Sequence, residues 1–153
     1  MFPAKKIVCP TDFSEGSFQA LTQASELALL FGAEIYLIHI VDLLPPMTEP
    51  GLPLPQEELH EAAVARLREV AESLTTKGVR TQAFVGDGNA ATEIVRMAQE
   101  LGADLIVIAT HGNTGWRHLA FGSVTEKVVR LATCPVLTTR MMSATATNAP
   151  RAD

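Results

Sequence analysis

The chain is poor in cysteine, has no surplus of positive charge, and carries no long hydrophobic run. Two cysteines in 153 residues, Cys9 and Cys134, are too few for a disulfide scaffold. Lys and Arg number 12 against 17 Asp and Glu, a formal net charge of −5. That balance excludes coating of nucleic acid or anionic membrane by bulk electrostatics. No stretch approaches the ~20 apolar residues a membrane-spanning helix requires. The start, Met1-Phe2-Pro3-Ala4-Lys5-Lys6, lacks the apolar segment and cleavage site of a signal peptide. A soluble, cytoplasmic chain with no nucleic-acid or membrane partner is therefore expected. A small phosphorylated ligand stays open, because backbone amides bind phosphate without Lys or Arg.

What is present is enough for one domain with a sizeable core: 47% of the residues are apolar. Continuous apolar runs at Ile7-Val8-Cys9, at 35–41, at Leu105-Ile106-Val107-Ile108-Ala109 and at Val136-Leu137 read as strands buried on both faces. The more polar segment 79–85 reads as an edge strand. Between them the period changes to that of a helix. Leu59, Ala63, Leu67, Val70, Ala71 and Leu74 form a stripe within 56–77, and Ile94, Met97, Ala98 and Leu101 form another before Gly102. Phe18, Leu21, Ser25, Ala28 and Phe31 mark a helix ending at Gly32, and a short last helix covers about 123–131. The order of five strands and four helices predicts an α/β fold, a single doubly wound parallel sheet. Residues 42–55 hold five of the nine prolines and read as a loop, and the tail 141–153 reads as disordered.

Ligands of such sheets bind beyond the carboxyl ends of the strands. Two segments follow strand ends: Pro10-Thr11-Asp12-Phe13-Ser14, and the run from Thr110 through Gly112 to Gly122-Ser123. Gly112 permits close backbone approach to a ligand. Gly122-Ser123 opens a helix whose N–H groups and dipole favour an anion, with Ser123 placed to cap it. Two readings stand here, a phosphate cradle and an ordinary Ser-capped helix after a glycine-bearing loop.

Five stretches together resemble the universal stress proteins, the UspA-like domains, over residues 5–140. They are Val8-Cys9-Pro10-Thr11-Asp12-Phe13-Ser14, Gly102-Ala103-Asp104-Leu105-Ile106-Val107, Thr110-His111-Gly112, Gly122-Ser123-Val124-Thr125-Glu126-Lys127-Val128 and Cys134-Pro135-Val136-Leu137. The resemblance implies strand order 3-2-1-4-5, an adenine nucleotide alpha hydrolase-like fold, and one UspA-like domain over 1–140. The ATP-binding branch carries Gly-x2-Gly-x9-Gly-Ser/Thr, matched here by Gly112, Gly122 and Ser123, with Ala109 in place of the first glycine. It further implies Asp12 beside the ribose and the main chain of Ile40 at the adenine edge. Gly112, Gly122, Ser123 and Val124 would hold the phosphates, with Thr125 close by and Pro10, Thr11, Ile108 and Ala109 completing the site. ATP, AMP or ADP is the implied ligand, with Mg²⁺ on the phosphates. A homodimer through strand five, residues 136–140, is implied as well, and bare sheet edges invite such pairing.

Other signals are weaker. Gly86-Asp87-Gly88-Asn89-Ala90-Ala91 has the form of a dinucleotide fingerprint but lacks its acidic partner, so a turn before the third helix is expected. No Gly-Lys-Ser/Thr exists, and the acidic pattern of a phospho-accepting receiver is missing. His39 reads as a satisfied core residue, His60 as lying on a solvated helix face, and His111 as bonded within its loop. No spacing builds a metal cage. Cys9 reads as a buried thiol unable to reach Cys134. Trp116, the single tryptophan, lies in the glycine loop. The functional expectation is an ATP-binding sensor or regulator of stress response acting on a protein partner. A nucleotide-free dimeric interaction module and a slow ATPase or autokinase remain as alternatives.

Overall fold

The structure, a computed structural model, describes residues 3–43, 55–111 and 121–141. Most of the proline-rich loop, residues 112–120 with Gly112 and Trp116, and all but Met141 of the expected tail lie outside them. The elements are β1 (Lys6–Pro10), α1 (Glu15–Phe31), β2 (Glu34–Val41), α2 (Gln56–Thr76), β3 (Thr81–Asp87), α3 (Ala90–Leu101), β4 (Leu105–Ala109), α4 (Ser123–Leu131) and β5 (Val136–Thr139). Every strand pairing is parallel, in the order β3-β2-β1-β4-β5. The expected α/β fold and strand order are both observed.

The continuous apolar runs are explained by cover on both faces. Alternate side chains leave opposite sides of a strand. Ile7, Cys9, Ile35, Leu37, Leu105 and Val107 thus pack beneath α1 and α2. Val8, Tyr36, Ile38, Ile106 and Ile108 pack beneath α3 and α4. The edge strands are more open, with Gln82 and Ala83 exposed on β3 and Leu137 on β5.

Helices α1 and α3 end at Gly32 (φ 62°) and Gly102 (φ 65°), both in the left-handed conformation that glycine adopts without a Cβ penalty. Neither helix has a basic residue in its last turn, and lysines of β1 and its approach answer the carbonyls instead. Lys5 Nζ donates to Phe31 O at 3.1 Å, and Lys6 Nζ to Leu101 O at 2.9 Å. No described helix is long and apolar enough to cross a membrane.

Three expectations shift. The buried face of α1 is Gly16, Ser17, Ala20, Leu21, Ala24 and Ala28, not the stripe through Phe18, Ser25 and Phe31. Small side chains let the helix lie close on the sheet, while the two phenylalanines fill its flanks half-buried. Strand β3 begins at Thr81 rather than Val79, because Val79 N still donates to Leu74 O as α2 ends. It also runs on through Gly86 and Asp87, which pair with Ile40 and Val41, so the turn before α3 shrinks to Gly88 (φ 131°) and Asn89. Cys9 is fully buried, which pushes its thiol up to about 12, and both cysteines are free.

Candidate functional site

The chain winds from β1 out to β3, then returns to β4 on the other side of β1, so the topological switch falls between β1 and β4. A cavity of about 310 Å³ opens there, beyond the carboxyl ends of β1, β2 and β4. Pro10, Thr11, Asp12 and Ile40 line one part of it, and Ile108, Ala109, Gly122, Ser123, Val124 and Thr125 another. All the residues singled out from sequence that are described therefore meet in one crevice.

On the β4 side, two contacts fix the feet of the glycine loop. Gly122 N donates to Thr110 O at 2.6 Å, and the Thr125 hydroxyl donates to Ala109 O at 2.6 Å. The Thr125 proton is thus spent on holding α4 against β4. Contrary to the expectation from sequence, Ser123 does not cap α4; Gly122 occupies the cap in extended backbone (φ −70°, ψ 160°), with no side-chain bond. The helical ladder starts with Glu126 N to Gly122 O, leaving the amides of Ser123, Val124 and Thr125 outside it. By contrast α1 is capped by Ser14 and α3 by Asn89, each through its side chain. A Cβ at Gly122 would lie 3.2 Å from Thr110 O, so glycine suits this closure. Ala109, at the first motif position, belongs to the core cluster beneath α1.

On the β1 side the chain turns sharply. Phe13 has φ 61°, a conformation that costs a bulky residue about 1–2 kcal/mol. Its N–H donates to Thr11 Oγ1 at 3.0 Å, and Ser14 N donates to Asp12 Oδ1 at 3.0 Å. The Ser17 hydroxyl donates to Ser14 O at 2.9 Å, so in its 2.9 Å contact with Thr11 Oγ1 the threonine is the donor. Thr11 therefore spends its hydroxyl on the turn, and Asp12 presents the acidic group.

Sequence reasoning left out Ser17, Ile38, His39, Asp42, Ala90, Ile94 and His111, which also line the cavity. His39 is half-buried at the wall rather than in the core; its Nδ1 lies 2.8 Å from Thr11 O, which can only accept, so Nδ1 carries a proton. The available signal was its place near the carboxyl end of β2, two residues before Val41 closes the strand. Ala90 and Ile94 arrive on α3, whose approach no local pattern announces. His111 Nδ1 lies 3.1 Å from Thr110 Oγ1, a contact within the loop's foot. His60 is half-exposed and pairs with Asp87 at 2.9 Å. Among the described residues lining the cavity the charged groups are Asp12 and Asp42, with no Lys or Arg. No metal-binding cluster of His, Cys, Asp or Glu occurs among the described residues.

Fold and crevice define a doubly wound α/β domain with an anion-receptive helix terminus at its switch point. The chain belongs to the universal stress protein family, whose profile matches residues 3–140. It is 40% identical over 139 residues to a universal stress protein of Methanocaldococcus jannaschii, covering 87% of this chain and 80% of that one. A second such protein of that organism has a solved structure, similar at a TM-score of 0.76 with 27% identity, covering 92% of this chain and 98% of that one. The universal stress protein of Archaeoglobus fulgidus in complex with dAMP is similar at a TM-score of 0.64 with 25% identity, over 90% of this chain and 98% of that one.

Proposed function

We propose that the chain binds an adenine nucleotide, ATP in the first place, and acts as a nucleotide-dependent sensor or regulator in stress response. One observation carries the reading: the α4 amides left outside the helical ladder open onto the same crevice as Asp12 and Ile40. Apolar side chains of Ile38, Ile40, Ile94 and Ile108 give a base an apolar wall. The helix N-terminus and its dipole favour phosphate where no described cation lines the wall. The dAMP complex of the Archaeoglobus relative supports the ligand class. Ala109 is compatible with it, since its methyl packs in the core.

Mg²⁺ fits as a companion of the phosphates, held mostly by them and by water, with the Ser123 hydroxyl and the Asp12 carboxylate among the oxygen donors of this chain that line the crevice. When bound it would neutralise phosphate charge. Binding rather than rapid turnover is favoured because His39 and His111 are both engaged, with Thr11 O and Thr110 Oγ1. AMP and ADP present the same base and ribose and are the competing ligands. Mass spectrometry of small molecules released from freshly purified, denatured protein tests the reading. An adenine nucleotide at near one per chain is expected; its absence, together with no uptake of added ATP, contradicts it.

A second reading, a nucleotide-free dimeric module in the cytoplasm, rests on the exposed apolar side chains Val129 and Leu131 of α4 and Leu137 of β5, a strand with no outer neighbour among the described residues. In either reading we expect a homodimer through β5. Light scattering at micromolar concentration checks it, and a monomer there would overturn the dimer.

A further inference from the structure

The turn that carries Asp12 is braced from outside the cavity. Neither Phe13 nor Arg66 of α2 lines the crevice. Yet the Arg66 guanidinium carbon stands 4.3 Å over the centre of the Phe13 ring. The ring also lies 4.6 Å from that of His39, tilted by 37°. His39 in turn donates to Thr11 O. A cation of α2, the ring of Phe13 and an imidazole of the cavity wall are therefore in successive contact, through Phe13 and Thr11, the residues on either side of Asp12.

Local bonds hold the two sides of the turn, Thr11 Oγ1 to Ser17 Oγ and the Ser17 hydroxyl to Ser14 O. Phe13 sits in a backbone region that a bulky residue leaves readily, and the bonds from Phe13 N and Ser14 N close rings of only a few residues. The ring packs in part against the core cluster beneath α1 and α2, and Arg66 of α2 adds a further contact to it. We propose that Arg66 and Phe13 are positioning residues for Asp12. The guanidinium clamps the ring toward His39, and the clamp keeps the turn that aims the Asp12 carboxylate into the crevice. This rests on the nucleotide-site reading and adds to it a dependence of the site on α2.

The test is calorimetric titration of Mg·ATP into the wild-type chain, Arg66→Ala, Arg66→Lys, Phe13→Leu and the double variant Arg66→Ala/Phe13→Leu. Backbone ¹⁵N shifts of Ser14 and of the residue at position 13 are measured in the nucleotide-free proteins. Arg66→Ala and Phe13→Leu each weaken binding about 2- to 5-fold, the scale of one exposed cation–π contact. Arg66→Lys keeps the cation and returns affinity to within about twofold. The double variant is no weaker than the worse single one, because both remove the same clamp. The Ser14 amide, donor to Asp12 Oδ1, moves in Arg66→Ala and returns in Arg66→Lys. Wild-type affinity in Arg66→Ala overturns the proposal, whether or not the amide moves; so does a double variant whose losses add. Should the wild type bind no nucleotide, the functional reading falls by itself, and the Ser14 amide alone then decides whether the clamp exists.

Discussion

The two ends of the sheet are built on opposite plans. At the amino ends of the strands, charged groups meet partners from within the chain. Lys5, Lys6 and Arg80 donate to the carbonyls that close α1 and α3, at Phe31, Leu101 and Gly32. Asp104 Oδ2 takes the backbone N–H of Lys5 at 2.8 Å and of Lys6 at 2.9 Å, which holds its carboxyl below the usual carboxylate range. At the carboxyl ends, helix α4 starts without a side-chain cap, Phe13 is strained, and Thr139 Oγ1 is buried with no partner among the described residues. One end spends its charged groups on closing helices, while the other leaves the first amides of α4 outside the helical ladder.

Four substitutions can break or sharpen that contrast. The largest effect is expected from Gly122→Val, which crowds Thr110 O and the side of the crevice proposed to take phosphate. Affinity for Mg·ATP should fall at least ~100-fold, about 2.7 kcal/mol, with stability lowered by only about 1–2 kcal/mol for the crowded cap. Calorimetry and urea unfolding read the two quantities separately. Asp12→Asn should follow, with binding about tenfold weaker, ~1.4 kcal/mol, and the unfolding midpoint nearly unmoved.

At the opposite end Asp104→Asn should leave nucleotide binding alone and cost about 1 kcal/mol of stability, discounted for the exposure of the group. The pH dependence has a definite sign. The folded-state pKa is depressed, so this stability is fully present above the unfolded value of about 4 and is lost as pH falls through the lower folded value. Urea curves of wild type and variant should converge below about pH 4; a constant gap down to about pH 2 would contradict the assignment. The smallest effect is expected from Thr139→Val, which removes the orphan hydroxyl and should stabilise the fold by up to about 1 kcal/mol. A lower melting temperature for that variant would mean the hydroxyl has a partner after all.

Much of this architecture was readable from the residues. Gly32 and Gly102 stop their helices as expected, because the left-handed cap leaves a local mark in the sequence. The central strands announced themselves by unbroken apolar runs, while their order came with the family resemblance. What was not legible depends on contacts between distant segments. The buried face of α1 is set by how closely alanines let it approach the sheet. The cap of α4 passes from Ser123 to Gly122 because Thr110 O captures the glycine amide. His39 leaves the expected core because its strand ends at the crevice, and nothing near Phe13 or Arg66 in sequence tells that the two meet.

The central claim is that the uncapped start of α4 and the turn at Asp12 together form a nucleotide site. Its most direct test is titration of ATP, with and without Mg²⁺, into the full chain in a calorimeter, with Trp116 fluorescence followed in parallel. Saturable heat with a change in fluorescence, abolished in Gly122→Val, is the predicted result. No heat and no fluorescence change at millimolar nucleotide would contradict it.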